Sequence, residues 1–148
     1  MSDSQQERQE GQQRQGADGR RPVSTTEAAP PAGPYSQGVV FNGVLYLAGQ
    51  GPVTPDGRLL TGAFAEQAHQ VFRNLTAVAK AAGGDLRRAV RVGVFLTDLS
   101  DFAEMNEIYR EYFSEPFPVR TTIQSNLPGF AIEVDAIVAM DADGPAES

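Results

Sequence analysis

The sequence predicts a single α+β domain with the element order β-β-α-β-α-β-β, its two helices packed on one face of the sheet. Three observations predict it. At 148 residues the chain is long enough for one domain with a substantial core and too short for two comfortable ones. Two stretches carry apolar residues at helical spacing, while shorter β-branched runs lie between them. Turn dipeptides punctuate these segments, notably Asn42-Gly43 and Gly83-Gly84.

Taken in order, "GVVFNGVLYLAG" (38–49) is two apolar runs around Asn42-Gly43, a hairpin signal because both central residues must take positive φ. "TPDGR" (54–58) is a further turn. "FAEQAHQVFRNLTAVAKAA" (64–82) places Phe64, Ala68, Val71, Phe72, Leu75, Val78, Ala79 and Ala82 on one helical face, and Gly83-Gly84 ends it. "RAVRVGVFLTDL" (88–99) is a strand with Val90, Val92, Val94 and Leu96 on one face. Ser100 or Asp101 can cap a second helix, "DFAEMNEIYREYF", with a buried stripe of Phe102, Met105, Tyr109, Tyr112 and Phe113. Strands over 119–126 and 131–140 complete the domain.

The flanks differ. Residues 1–25 have almost no apolar side chains and read as a disordered tail. The domain covers 26–140, and 141–148 reads as a flexible acidic C-terminal tail. The charges of residues 1–26 cancel, so the net −7 belongs to the rest of the chain. An acidic domain is a poor candidate for holding nucleic-acid backbone, though a local arginine can still bind a small anion. With no cysteine and one histidine, thiolate metal sites, disulfides and cysteine nucleophiles are excluded. No run approaches the ~20 apolar residues that span a membrane, and no signal-peptide core is visible, so the expected location is the cytoplasm.

The strands are apolar on both faces: Val39 and Phe41 against Val40, and Val44 and Tyr46 against Leu45 and Leu47. Two helices cover one face only, so the other is expected to be buried by further copies of the chain.

Candidate chemistry centres on "FPVRTTIQ" (117–124). Alternation puts Arg120, Thr122 and Gln124 on one face of their strand. In the last strand Ile132, Val134, Ala136 and Val138 form the apolar face, with Glu133 and Asp135 opposite. The expectation is that Arg120, Thr122, Glu133 and Asp135 share the face that an oligomer buries. Such a group could line a site, or Arg120 could simply form a salt bridge with Glu133 or Asp135. Tyr35, in "GPYSQG" (33–38), either packs on a rim or faces the same cleft. Asn106 lies beside the buried stripe and can reach a cleft or cap a neighbour. His69 falls with Glu66, Arg73 and Lys80 on the polar side of the first helix and is expected to be exposed and inert. Gly49 and Gly51 open no dinucleotide fingerprint, because a turn rather than a helix follows.

"GPYSQG", "LYLAGQGPVTPDGRL", "QVFRNLTAVAKAAGGDL", "VFLTDLSDFAEMNEIYREYF", "PVRTTIQ" and "IEVDAIV" occur in this order over residues ~29–140, and together they resemble the RidA (YjgF) family of reactive imine deaminases. The resemblance implies a chorismate-mutase-like α+β domain with helices on one face of a mixed sheet. It implies a homotrimer whose sheets form a central barrel, with clefts between subunits. It implies hydrolysis of 2-imino acids or their enamine tautomers, such as 2-iminobutanoate and 2-iminopropanoate, to 2-keto acids and ammonia, without metal or cofactor. The family arginine matches Arg120, which would grip the substrate carboxylate, and the family glutamate matches Glu133, which would position water. Tyr35 would cross the interface, and Asn106 and Thr122 would complete the substrate contacts. Two departures stand out: Ala48 occupies a position where the family often has serine, and "SNLPGF" (125–130) is a slightly shorter loop than usual. Competing readings are a non-catalytic trimer that binds small carboxylates and an endoribonuclease. The acidic domain argues against the latter.

Overall fold

The computed structural model describes residues 16–141. Six strands form one sheet: β1 (Arg21–Val23), β2 (Gly38–Phe41), β3 (Val44–Gln50), β4 (Ala89–Leu96), β5 (Val119–Gln124) and β6 (Ile132–Ala139). Two α-helices, α1 (Phe64–Ala81) and α2 (Phe102–Tyr109), pack on one face. The strand order is β1-β2-β3-β6-β4-β5. The β4–β5 pair is parallel and the other pairs are antiparallel, so the sheet is mixed. The expected α+β class, with helices on one face of a mixed sheet, is therefore the observed one.

The hairpin between β2 and β3 forms on Asn42 and Gly43, at φ 52° and 75°. This is the left-handed pair that a two-residue turn requires. Helix α1 buries Ala68, Val71, Phe72, Leu75, Val78 and Ala79 against the sheet. It ends where Gly83 takes φ 85° and the Gly84 N–H returns to the Ala79 carbonyl at 2.9 Å. In β6 the alternation is strict: Ile132, Val134, Ala136 and Val138 are buried and the residues between them half-buried.

Several expectations require correction. Strand β1 lies inside the segment 1–25 expected to be disordered. Val23 is 3% exposed, and Arg21 Nη2 donates to the Ala82 carbonyl at 3.2 Å. Because β1 is an edge strand of three residues, it tolerates Pro22, whose missing N–H would break a central ladder. The expectations for 1–15 and 142–148 lie outside the described residues, while Asp141 pairs with Arg88. In β4 the register against β6 shifts between Ala89 and Arg91. Ala89 and Val92 both point inward as a result, and Val90, expected on the same face as Val92, Val94 and Leu96, is 50% exposed. Helix α2 stops at Tyr109 and its last turn tightens, with the Tyr112 and Phe113 N–H groups both donating to the Tyr109 carbonyl at 3.0 Å. Asp101 takes the N-cap position as expected but makes no side-chain capping bond; the preceding 3-10 turn, Leu99–Asp101, is capped by Asp98, whose carboxylate accepts the Ser100 N–H at 2.9 Å. Phe102 is 42% exposed instead of buried.

The largest correction concerns the faces of the sheet. Arg120 lies level with Val92, which lies level with Ala136; Thr122 lies level with Val94, which lies level with Val134. Residues level across a ladder share a face. Arg120 and Thr122 therefore stand on the helix side, at the sheet's β5 edge. Glu133 and Asp135 stand on the open side, level with Phe95 and Gly93. That open side carries exposed Tyr46, Val119 and Ile123, the last at 45%.

Candidate active site

Arg120 sits where the edge of the sheet meets α2. Its Nη2 donates to Asn106 Oδ1 at 2.7 Å. Its guanidinium carbon lies 4.7 Å from the centre of the Tyr109 ring and 5.5 Å from that of Phe102. Asn106 and Tyr109 are i and i+3 on α2, so one helical face supplies both contacts. The arrangement occupies one nitrogen with an amide oxygen and lays π surface against the cation. No carboxylate of the chain lies within ion-pairing distance of Arg120 among the described residues. The expected bridges to Glu133 or Asp135 do not form, because those groups are on the other face. Asp135 instead pairs with Arg91 at 3.1 Å. A Cβ on Gly93 would come within 2.5 Å of Asp135 Oδ1, so that glycine makes room for the pair.

Around Arg120 is a cavity of about 390 Å³ walled by Asn106, Tyr109, Arg110, Phe117, Pro118 and Arg120. Thr122 shares the arginine's face but is not part of this wall. Its Oγ1 and the Tyr109 hydroxyl are both buried without a hydrogen-bond partner among the described residues. Burial pushes the Tyr109 hydroxyl's pKa above its ordinary value, and the nearby Arg120 charge only partly opposes this.

A second cluster forms elsewhere. Tyr35 lines a cavity of about 290 Å³ with Pro30, Pro31, Gly49, Gln50 and Gly51. Its hydroxyl accepts the Ala32 N–H at 2.9 Å. Glu133 joins this cluster through Gly49, where a Cβ would stand 2.6 Å from Glu133 Oε2. Burial, and secondarily the Asp135 charge, raise the Glu133 pKa above its ordinary value. The loop that carries Tyr35 is pinned by buried Gln37. Its Oε1 accepts the Thr25 N–H at 2.7 Å, and its Nε2 donates to the carbonyls of Ala29 at 2.8 Å and Thr25 at 3.1 Å.

The predicted residues thus fall into two groups. Arg120, Asn106 and Thr122 are together on the helix side. Glu133 is on the open side beside Gly49, which also lines the Tyr35 cavity, and β4 lies between β5 and β6, a separation of about 10 Å across the sheet alone. One chain does not bring the two groups to one molecule. The sequence reading missed Phe102, Tyr109 and Arg110 as neighbours of Arg120. The i, i+3 and i+4 spacing from Asn106 carried the signal for the last two. It also misjudged His69, which is half-buried, with Nδ1 2.8 Å from the Tyr112 hydroxyl and Nε2 3.8 Å from Glu111. Among the described residues no group of three His, Cys, Asp or Glu is placed to hold a metal ion. Nor is any described helix long and apolar enough to cross a membrane.

The human 2-iminobutanoate/2-iminopropanoate deaminase is 41% identical over 121 residues, covering 80% of this chain and 88% of that protein. The crystal structure of RidA from the Antarctic bacterium Psychrobacter sp. PAMC 21119 superposes with a TM-score of 0.77 at 40% identity, covering 81% of this chain and 99% of that one. The E. coli TdcF structure with bound serine gives a TM-score of 0.75 at 31% identity, covering 80% and 98%. A family model described as endoribonuclease L-PSP matches residues 25–140, which is the whole sheet from β2 onward with both helices. By that match and these identities, the chain belongs to the endoribonuclease L-PSP family, whose members also carry the names RutC, RidA and YjgF.

Proposed function

We propose that the protein hydrolyses reactive 2-imino acids and their enamine tautomers to 2-keto acids and ammonia, as a homotrimer whose sheets form a central barrel. Each site would combine Arg120, Asn106 and Thr122 of one copy with Tyr35 and Glu133 of the next. The observation that carries this reading is the state of Arg120: a guanidinium in a cavity, held by an amide oxygen and two aromatic faces, with no carboxylate partner among the described residues. Its free edge suits bidentate capture of a substrate carboxylate. The name of the human relative supports the imino-acid class. The apolar open side, with exposed Tyr46, Val119 and Ile123, supports burial by further copies.

The chemistry follows from position. Arg120 fixes the carboxylate and hence C2. Water held by Glu133 bonds through oxygen to C2, and its proton passes to Glu133 or to solvent. The tetrahedral intermediate then expels ammonia, and C2 becomes the carbonyl of the 2-keto acid. A protonated imine is already an electrophile, so the step asks for no metal or cofactor, and placement supplies most of the acceleration. A carboxyl group whose pKa is raised by burial is suited to take a proton from water and return it to the leaving nitrogen.

The test is ammonia release from 2-iminobutanoate generated in situ by a threonine dehydratase. Acceleration over the spontaneous rate is expected. A well-folded oligomer that binds 2-oxobutanoate without accelerating hydrolysis would instead be a carboxylate-binding protein.

A further inference from the structure

The cavity around Arg120 is walled by a second arginine, Arg110, and by no carboxylate residue among the described residues. In a chain of net charge −7 this is a local reversal of sign. The two cations reach the cavity from different elements. Arg120 comes from β5, and Arg110 stands at the C-terminal end of α2, one turn beyond the Asn106 that holds Arg120.

Their internal commitments differ. Arg120 is fixed by Asn106 and the ring faces of Tyr109 and Phe102. Arg110 makes two contacts through the same nitrogen, Nη1: one to Glu107 Oε1 at 3.1 Å and one to the Asn106 carbonyl at 3.5 Å. The Arg110–Glu107 pair is exposed on both sides, 60% and 78%, and such i, i+3 surface pairs contribute little. A second anion entering the cavity competes with a weak partner.

We infer that the site is selective for 2-imino dicarboxylic acids, with Arg120 taking the carboxylate next to the imine and Arg110 the distal one. This rests on the deaminase reading above and names its substrate class. The balance is the same: imino diacid plus water gives oxo diacid plus ammonia, with the water oxygen bonding to C2 and the C–N bond breaking. Arg110 touches only the distal carboxylate and is a specificity residue. The other feature of the wall, Phe117, would favour a bulky apolar side chain instead, and the experiment separates the two.

The experiment measures kcat/KM on three imines generated in situ by amino-acid oxidases: from 2-aminobutanoate, from glutamate and from homophenylalanine. The glutamate-derived imine is expected to exceed the 2-aminobutanoate-derived one by about tenfold or more, as one charge-assisted contact allows. In Arg110→Gln that ratio should fall toward one, and Arg110→Lys should keep part of it. Salt should erode the ratio in the wild type, because the distal contact lies near solvent. Equal rates for the diacid and 2-iminobutanoate, a preference for the phenyl-bearing imine, or a diacid preference that survives Arg110→Gln would each overturn the inference and leave the deaminase reading standing. No hydrolysis of any imine would overturn both.

Discussion

Replacing Arg120 by alanine removes the group on which the functional reading depends, and the structure sets the size of both consequences. On stability, the change deletes one charge-assisted hydrogen bond to Asn106 and the cation's contacts with Tyr109 and Phe102. It also relieves the cost of keeping a guanidinium half out of water. Two ring contacts of about 0.5–1 kcal/mol each and a hydrogen bond of similar net worth come to about 1.5–3 kcal/mol, which the relieved desolvation lowers to a net loss of about 1–2 kcal/mol. For a domain of this size that lowers Tm by about 3–8 °C. No carboxylate is stranded, since neither Glu133 nor Asp135 pairs with Arg120, so the 3–5 kcal/mol typical of breaking a buried ion pair is not expected. On activity, losing a two-bond carboxylate clamp costs about 3–4 kcal/mol, or about two to three orders of magnitude in kcat/KM. Arg120→Lys retains the charge but not the fork and should recover little of this. The assay is ammonia release from 2-iminobutanoate, beside a melting curve and light scattering on the same samples. A well-folded Arg120→Ala variant with wild-type hydrolysis would falsify the assignment. A collapse of the assembly with unchanged activity per remaining oligomer would show that Arg120 is an interface residue.

Further predictions follow from the same geometry. Glu133→Gln should abolish most hydrolysis without lowering Tm at pH 7. The folded-state pKa of Glu133 is raised, so its ionised form opposes folding; whatever stability this group contributes is present at low pH and lost as pH rises through that raised pKa. A marked drop in Tm at pH 7 would contradict this sign. If each site takes Arg120 from one copy and Glu133 from the next, co-refolding inactive Arg120→Ala and Glu133→Gln chains in equal amounts should restore about a quarter of wild-type activity, the random share of intact pairings. Complete inactivity of the mixture would place both groups in one chain's site. Ile123→Asp, at an exposed position on the open side, should shift light scattering toward monomer, and an unchanged mass would remove that side from the interface. Gln37→Leu deletes three hydrogen bonds from the Tyr35 loop and should raise KM while lowering stability by about 2–3 kcal/mol, measured by urea unfolding.

What the sequence made legible, and what it hid, divides along a physical line. Helix α1 and strand β6 were plain because each has one wholly apolar face, so period and burial coincide. Strand β5 inverts that rule. Its apolar residues, Val119 and Ile123, face the open side, while Arg120 and Thr122 close the edge of the helix-side core. Alternation told which of these residues share a face, but only the register with β4 tells which face it is. The same register shift hid Val90, since one extra residue at Ala89–Arg91 reverses the side chain that simple alternation assigns. Strand β1 is too short and too polar to show periodicity, and it owes its place to pairing with β2. Asn106 and Arg120 were both nominated from sequence. Their bond depends on how α2 crosses the end of β5, a tertiary relation that no local pattern encodes.

Strand β6, the last in chain order among the described residues, lies in the middle of the sheet, between β3 and β4. A chain still emerging from the ribosome therefore holds two separate pieces, β1-β2-β3 and β4-β5, each showing a raw inner edge. Neither can close a core, because Leu45 and Leu47 on one side and Val92, Val94 and Leu96 on the other wait for Ile132, Val134, Ala136 and Val138. Unpaired strand edges of this kind are templates for other chains, so a product cut short before residue 132 is an aggregation hazard rather than a smaller domain. Completing the sheet requires β6 to dock between partners more than eighty residues and more than thirty residues away in the chain, as strand positions 45–47 and 92–96 dictate, and pairings of such long range are slow to form. For anyone attaching a tag or a solid support close behind residue 139, β6 is the strand that must first be free to thread home.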